Sequence, residues 1–299
     1  MHFVNAKSIL TPHSMNIYRG CLHGCIYCDA RSKCYQFTHA FEDIEVKQNA
    51  PELLEQTLRK KRKRCMIGTG AMCDPYIPLE KDLRLMRNCL EIIEKHNFGA
   101  AVQTKSDLVL RDLDILERIN QKSKAVVQIT LTTADDSLCR IIEPGVCPTS
   151  RRFQVLCECR EHGIPTVVWF SPLLPFINDT AENVDGIVDY CTRAGVKAII
   201  CFGIGLTLRE GNREYFYAAL DCAAKADSRF AASPGAPSLK ERYIRTFGSS
   251  YIVSSPNERD LMQRLAQQCR KNGIMLGTDS VFKWMEEFPE SNPDQLELF

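Results

Sequence analysis

The chain has 299 residues, 44% of them hydrophobic and 25% charged, a composition that excludes a disordered or fibrous protein. With 38 Lys+Arg against 37 Asp+Glu the formal charge is +1, so only a local basic patch would hold a polyanion. No secretory leader is read in residues 1–20 and no apolar run is long enough for a membrane span, so the expected compartment is the cytoplasm. Fifteen cysteines, an odd number, then read as free thiols or metal ligands and not as a disulfide framework. In chain order, apolar runs predict strands at Ser14–Arg19, Cys65–Thr69, Gly99–Gln103, Ala125–Leu131, Pro165–Phe170 and Lys197–Phe202. Helical patterns lie between them, over Pro51–Arg64, Leu79–Asn97, Asp107–Gln121, Thr149–His162 and Thr180–Ala194. Pro51 suits a first helical turn, Asp107 is the expected cap of its helix, and Gly163 and Gly195 follow helix ends.

This alternation predicts βαβ units on a parallel sheet, an α/β fold. Six units fall short of the eight of a closed barrel. The expectation is therefore an open, partial (β/α)6 TIM-type barrel over residues 1–205. Residues 206–290 carry helical patterns over Arg213–Ala226 and Asn257–Asn272, separated by a loop-like AASPGAPSLK, and predict a C-terminal helical cap. Residues 291–299 read as a flexible tail. No G-x-S-x-G elbow, H-E-x-x-H pair or P-loop is present.

The strongest chemical signal is Cys21-Leu-His-Gly-Cys25-Ile-Tyr-Cys28. Three thiolates on a glycine-containing loop after a strand converge on one metal centre. They leave one iron of a [4Fe–4S] cluster without a protein ligand, which is the arrangement of a catalytic cluster and not of an electron carrier. The alternative is structural zinc, with His23 or Cys34 as fourth ligand. Zinc sites commonly pair two knuckles across a spacer, and no second knuckle follows here.

At these residues the sequence resembles the radical S-adenosylmethionine (radical SAM) superfamily, with CxxxCxxC after the first strand and aromatic Tyr27 before the third cysteine. The longer string Asn16–Arg31 is similar to a narrower group, the relatives of spore photoproduct lyase. Further matches to that group lie at Cys73–Glu80, Lys105–Asp112, Glu143-Pro144 and Pro237–Tyr243. The resemblance implies a [4Fe–4S] cluster on Cys21, Cys25 and Cys28, with S-adenosylmethionine chelating the open iron through its methionyl amine and carboxylate. It implies an external one-electron reductant of the flavodoxin or ferredoxin type, and a 5′-deoxyadenosyl radical that takes hydrogen from the substrate. It also places Tyr27 near the adenine and pairs Lys105 with the cofactor carboxylate. A solvated Lys105 ahead of a helix cap is the plainer reading.

Gly68, Gly70 and Thr130 fall near the expected cofactor rim, although a glycine there also serves a turn alone. Cys73 puts a thiol after the second strand, where the lyase returns hydrogen through a cysteine. Its register differs, because Cys73 immediately precedes Asp74, and a rim thiol of no consequence is the alternative. Cys139, Cys147, Cys157 and Cys159 form a loose group whose spacing matches no second cluster.

Two basic stretches, Arg59–Arg64 and Arg151-Arg152, are candidate phosphate contacts, with a solvated helix end as the alternative for the first. The tail contains Gln295, Leu296, Leu298 and Phe299, which resemble the pentapeptide that docks bacterial repair proteins on the sliding clamp of the replisome; the alternative is that Leu296, Leu298 and Phe299 fold back and pack on the barrel. The expected function is a radical reaction on DNA, lesion repair in particular. Radical modification of RNA, a peptide or a small molecule is the second reading. An Fe–S or zinc-bound nucleic-acid-binding or redox-sensing protein is the non-enzyme reading.

Overall fold

The computed structural model describes residues 1–289. Four short strands open the chain: β1 (His2–Val4), β2 (Leu10–Thr11), β3 (Ser14–Met15) and β4 (Tyr18–Arg19). The three-cysteine loop follows, then β5 (Glu45–Lys47) and α1 (Ala50–Lys60). The expected alternation runs next: β6 (Met66–Thr69), α2 (Glu80–Leu83), α3 (Leu85–Lys95), β7 (Gly99–Thr104), α4 (Leu113–Lys122) and β8 (Ala125–Thr130). It continues through α5 (Asp136–Ile142), α6 (Thr149–Glu161), β9 (Thr166–Trp169), α7 (Ala181–Ala194) and β10 (Ala198–Ile200). The last segment holds β11 (Gly205–Thr207), α8 (Asn212–Ala226), α9 (Leu239–Phe247), β12 (Ile252–Ser254), α10 (Glu258–Lys271), β13 (Met275–Leu276) and α11 (Thr278–Met285).

The large sheet has the order β13-β10-β9-β8-β7-β6-β3-β2. Its six central strands, β3 and β6 to β10, are parallel neighbours and form the partial barrel expected from the six units. One strand is added at each edge, β13 parallel and β2 antiparallel. Every residue of β8 is buried, as a strand covered on both faces requires. Helices cover the outer face. Inside, Met66, Ala101, Val126, Val167, Ala198 and Ile200 close on Val281 and Met285 of α11, so this helix plugs the barrel floor.

Several expected elements differ in detail. The expected strand Ser14–Arg19 divides between two sheets, because β4 leaves the barrel and pairs with β5 in a small sheet β1-β5-β4. The expected helix Leu79–Asn97 breaks at Arg84, which adopts a left-handed conformation at φ 53°. Before α4 a 3₁₀ turn intervenes, and the capping acceptor is Ser106 Oγ, bonded to the Leu108 N–H, where Asp107 was expected. α1 stops at Lys60, so residues 61–64 of the basic run lie beyond the helix. α5, α9 and α11 were not expected. No helix among the described residues is long and apolar enough to cross a membrane.

The cap does not stand apart from the barrel. Phe216, Leu220 and Tyr243 of α8 and α9 share one apolar cluster with Cys25, Ile26 and Tyr27. Folding of the cap therefore clamps the three-cysteine loop. The tail residues Gln295, Leu296, Leu298 and Phe299 lie outside the described residues.

Candidate active site

Parallel strands deliver their C-terminal ends to one rim, the end where barrel enzymes carry their chemistry. A cavity of about 530 Å³ opens there. Cys21, Cys25, Cys28, Tyr27, Gly70, Cys73, Lys105 and Thr130 all line it. Gly68 does not; it sits back in β6, with its N–H on the His13 carbonyl at 2.8 Å, where it serves strand pairing.

Two glycines let the walls approach. Gly20 has φ 90°, and a Cβ there would fall 2.4 Å from the Phe41 carbonyl oxygen, so no larger residue can lead β4 into Cys21. Gly70 has φ 95°, and its Cβ would fall 2.1 Å from the Gln103 oxygen. Beyond Gly70 the chain crosses the cavity wall to Cys73 and Asp74.

Cys21 and Cys25 are buried and Cys28 half-buried, all as free thiols. Burial pushes the Cys25 and Cys28 thiols up, whereas the neighbouring Cys73 and His23 draw Cys21 down. Among the described residues, no trio drawn from Cys21, Cys25, Cys28, His23 or Cys34 brings its ligand atoms within 4.8 Å of one another. Thiolates sharing one zinc at Zn–S of about 2.3 Å would lie about 3.8 Å apart. Three thiols from one loop, lining one cavity, are the ligand set of a [4Fe–4S] cluster with one open iron, so the donor set fits that group. Cys139, Cys147, Cys157 and Cys159 likewise bring no three ligand atoms within 4.8 Å of one another among the described residues, and Cys139 is taken up by Arg152 Nη2 at 2.9 Å.

Asp74 organises the rim. It accepts hydrogen bonds from Thr104 Oγ1 at 2.6 Å, Lys105 N–H at 2.7 Å and Tyr76 N–H at 2.9 Å, and lies 3.5 Å from His23 Nδ1. One carboxylate thus joins the β6 turn, the end of β7 and the three-cysteine loop. The Lys105 ammonium, by contrast, has no hydrogen bond or ion pair among the described residues. Burial works against its charge, but Cys25, Glu143 and Asp74 outweigh burial and hold its pKa above the ordinary lysine value. An unpaired, charged ammonium beside the cysteine trio is the feature a cofactor carboxylate needs, so the residues also fit S-adenosylmethionine.

Beneath the loop lies a buried triad. Tyr27 OH donates to one Glu143 carboxylate oxygen and Arg152 Nη2 to the other. Arg152 also donates to the Thr130 carbonyl at 2.7 Å and the Cys147 carbonyl at 2.9 Å. Its side chain is 0% exposed, so the expectation that Arg152 contacts phosphate is corrected: it fixes the floor of the site. Arg151 is held by Asp107 and Glu158, both at 2.9 Å. Residues 59–64 precede β6 and therefore lie at the opposite end of the barrel from the cavity.

Cys73 is 5% exposed and its S–H donates to the Gly20 carbonyl at 2.7 Å. The neighbouring Cys21 thiol, together with burial, pushes its pKa well up, so it keeps its hydrogen. Sequence reasoning missed Phe202 and Ile252, 63% and 66% exposed, which line the same cavity as Met72. It also missed Asp74 and Glu143 as organisers, although both stood inside the motifs quoted above.

A family model for the radical SAM superfamily matches residues 15–189. An uncharacterized protein of Methanocaldococcus jannaschii is 34% identical over 185 residues, covering 59% of this chain and 68% of its own. One of Mycobacterium tuberculosis is 28% identical over 223 residues, covering 71% of this chain; the chain spans 64% of that relative's length. Among solved structures, spore photoproduct lyase complexed with dinucleoside spore photoproduct superposes with a TM-score of 0.63 at 12% identity, covering 92% of this chain and 80% of that one. A radical S-adenosylmethionine methyltransferase from Kitasatospora setae, with tryptophan and a SAM analog bound, gives 0.52 at 17%, covering 85% and 51%. At such identities these two structures show a shared fold. The family match spans β3 to α7, the elements that carry the cysteine loop and Lys105, and with it the choice between a catalytic cluster and zinc is settled: the chain belongs to the radical SAM superfamily, whose enzymes work with a [4Fe–4S] cluster and S-adenosylmethionine.

Proposed function

We propose that this enzyme cleaves S-adenosylmethionine reductively at a cluster held by Cys21, Cys25 and Cys28, and takes hydrogen from a DNA lesion of the photoproduct kind. The observation that carries the cofactor assignment is the unpaired Lys105 ammonium lining the cavity with those cysteines. When bound and reduced by an external flavodoxin- or ferredoxin-type donor, cluster and cofactor supply one-electron C–S cleavage and hydrogen abstraction.

The chain's own residues perform the rest. Lys105 holds the cofactor carboxylate as a point charge. Gly70 and Thr130 leave room at the rim, and the Tyr27–Glu143–Arg152 triad fixes the loop from below. Cys73 returns a hydrogen atom from its S–H. Phe202, exposed at the cavity lining that Met72 and Ile252 share, offers an aromatic face on which a nucleobase stacks. Ionisable cavity residues are Asp29, Asp74 and Glu258 against Lys105 and His23, so the part of the substrate that enters is an uncharged base and not a phosphate.

Support for DNA as substrate comes from the fold shared with spore photoproduct lyase and from the stacking face. The tail motif Gln295, Leu296, Leu298 and Phe299 supports a tether to the bacterial sliding clamp. A peptide of residues 291–299 that fails to bind clamp at tens of micromolar removes the tether.

Anaerobically reconstituted enzyme with a reductant is expected to release 5′-deoxyadenosine and to carry deuterium into it from a deuterated, lesion-bearing duplex. Deuterium transfer from RNA, a peptide or a small molecule, and none from DNA, overturns the DNA reading and leaves the cleavage reading intact.

A further inference from the structure

At the small sheet β1-β5-β4, outside the cavity lining, His2, His39 and Glu45 each bring one ligand atom within 4.8 Å of the others. The fold makes this meeting specific. His2 and Glu45 are directly opposed in the parallel β1–β5 ladder, and His39 reaches them from the loop before β5. The two imidazole rings stand edge to face, with centroids 4.9 Å apart.

The surrounding bonds orient each group as a ligand. His2 Nδ1 faces the Asp43 carboxylate at 3.1 Å, which leaves its other ring nitrogen for a metal. His39 Nδ1 faces the Ala40 carbonyl at 2.9 Å, which directs its Nε2 to Glu45 Oε1 at 2.8 Å. A histidine whose second nitrogen is bound by a carboxylate or carbonyl is the usual metal-ligating arrangement. Arg19 Nη1 donates to the same Glu45 oxygen at 2.9 Å, and among the described residues the second oxygen has no hydrogen bond. The Met1 ammonium sits on Asp43 at 2.9 Å, outside the ligand trio.

The geometry points to a second metal site in this protein: His2, His39 and Glu45 bind one Zn²⁺ or a similar borderline divalent cation, separate from the cysteine trio. Two imidazoles and one carboxylate are a known zinc set, with water completing the tetrahedron. Binding releases the proton shared between His39 and Glu45, so no other reactant is needed. Glu45 and His39 are mostly covered, whereas His2 is 41% exposed and gives the ion its entry. The site braces the sheet that feeds the three-cysteine loop. β4 pairs with β5 and runs into Gly20, and the Cys21 N–H donates to Phe41 O two residues beyond His39.

The test uses tag-free holoprotein, its cluster already reconstituted, dialysed anaerobically against micromolar zinc chloride. Metal content is then measured by mass spectrometry. Wild type is expected to hold about one more zinc per chain than His2→Gln or His39→Gln, with equal iron in all three. His162→Gln, altering an exposed histidine paired with Glu117, keeps the zinc. X-ray absorption on the zinc lost in the variants is expected to show nitrogen and oxygen at about 2.0–2.1 Å and no sulfur at about 2.3 Å. Retention of zinc in both variants, sulfur in that shell, or no zinc in wild type overturns the site. If His39→Gln loses iron as well, the exposed His2→Gln decides.

Discussion

The Asp74 carboxylate binds the Lys105 backbone and makes no ion pair with the Lys105 ammonium. The Asp74 carboxylate takes the Lys105 N–H at 2.7 Å, and the Lys105 ammonium is left facing the cavity. The carboxylate that would otherwise neutralise the lysine instead sets its position at the end of β7.

Lys105→Ala therefore removes a charge that nothing in the fold replaces. A hydrogen bond to a charged group is worth about 1.5–3 kcal/mol, so cofactor affinity should fall about tenfold to 150-fold. Iron content and the cluster absorption should stay as in wild type. Equilibrium dialysis with labelled S-adenosylmethionine measures it, and an unchanged affinity rejects the assigned role.

Arg152 and Glu143 form an ion pair with both side chains 0% exposed. Removing one partner of such a pair costs about 3–5 kcal/mol, because the other charge is left buried. Arg152→Met should lower the urea midpoint strongly, whereas Arg151→Ala, on a half-exposed residue, should change it little. Equal effects of the two substitutions would contradict the placement of Arg152 beneath Thr130.

Cys73 holds its hydrogen against the Gly20 carbonyl at the cavity wall. Cys73→Ala should leave cofactor cleavage within about twofold, while substrate radicals, lacking their thiol donor, divert to other products. Product analysis by mass spectrometry reads this directly. A wild-type product distribution in the variant removes Cys73 from the reaction.

Most of the barrel was readable because β6, β7 and β8 are runs of apolar residues whose ends carry Gly, Lys and Thr at the rim. The three cysteines were readable because their ligand chemistry is local in sequence. What failed was non-local. The break at Asn16–Ile17 follows from β4 pairing with β5, and α11 buries Val281 and Met285 only because the barrel floor is open to it. Arg152 looked like a surface cation until Glu143, nine residues away, met it in the interior. Ile252 reaches the cavity only because β12 pairs with β11, Ile252 facing Thr207, and no periodicity announces that ladder. For α9 the signal was present and passed over, since Ser238 and Glu241 form a capping box.

Buried thiols away from the cluster give stability an alkaline limit. Burial pushes Cys159 up to about 12 and Cys269 up to about 11. Their pKa values are raised on folding, so their contribution is complete below the ordinary thiol range. It falls as pH rises through about 9 towards 11 and 12, because the unfolded chain releases those protons first. Each fully buried thiol adds a slope of up to about 1.4 kcal/mol per pH unit. Urea unfolding between pH 8 and 10 should show this decline, and Cys159→Ala should flatten it. A slope unchanged by that substitution would assign the decline elsewhere.

The mouth of the cavity carries the substrate assignment, and its residues are dispensable to the fold. Phe202 is 63% exposed and rests against Trp169 at 5.4 Å between ring centroids, while Ile252 is 66% exposed on β12. Neither supports the cluster loop, so truncating both should spare iron content and cofactor binding. Stacking of a base on an aromatic face is worth about 1–3 kcal/mol, which corresponds to about a fivefold to 150-fold loss of substrate affinity. Phe202→Ala with Ile252→Ala should therefore raise KM for the substrate by such a factor. The variant should also release more 5′-deoxyadenosine without product, because cleavage proceeds while the substrate is poorly held. Steady-state kinetics with deuterated substrate separates the two effects. If KM stays within twofold and coupling is unchanged, substrate does not enter over Phe202 and Ile252, and the stacking argument for a nucleobase falls with it.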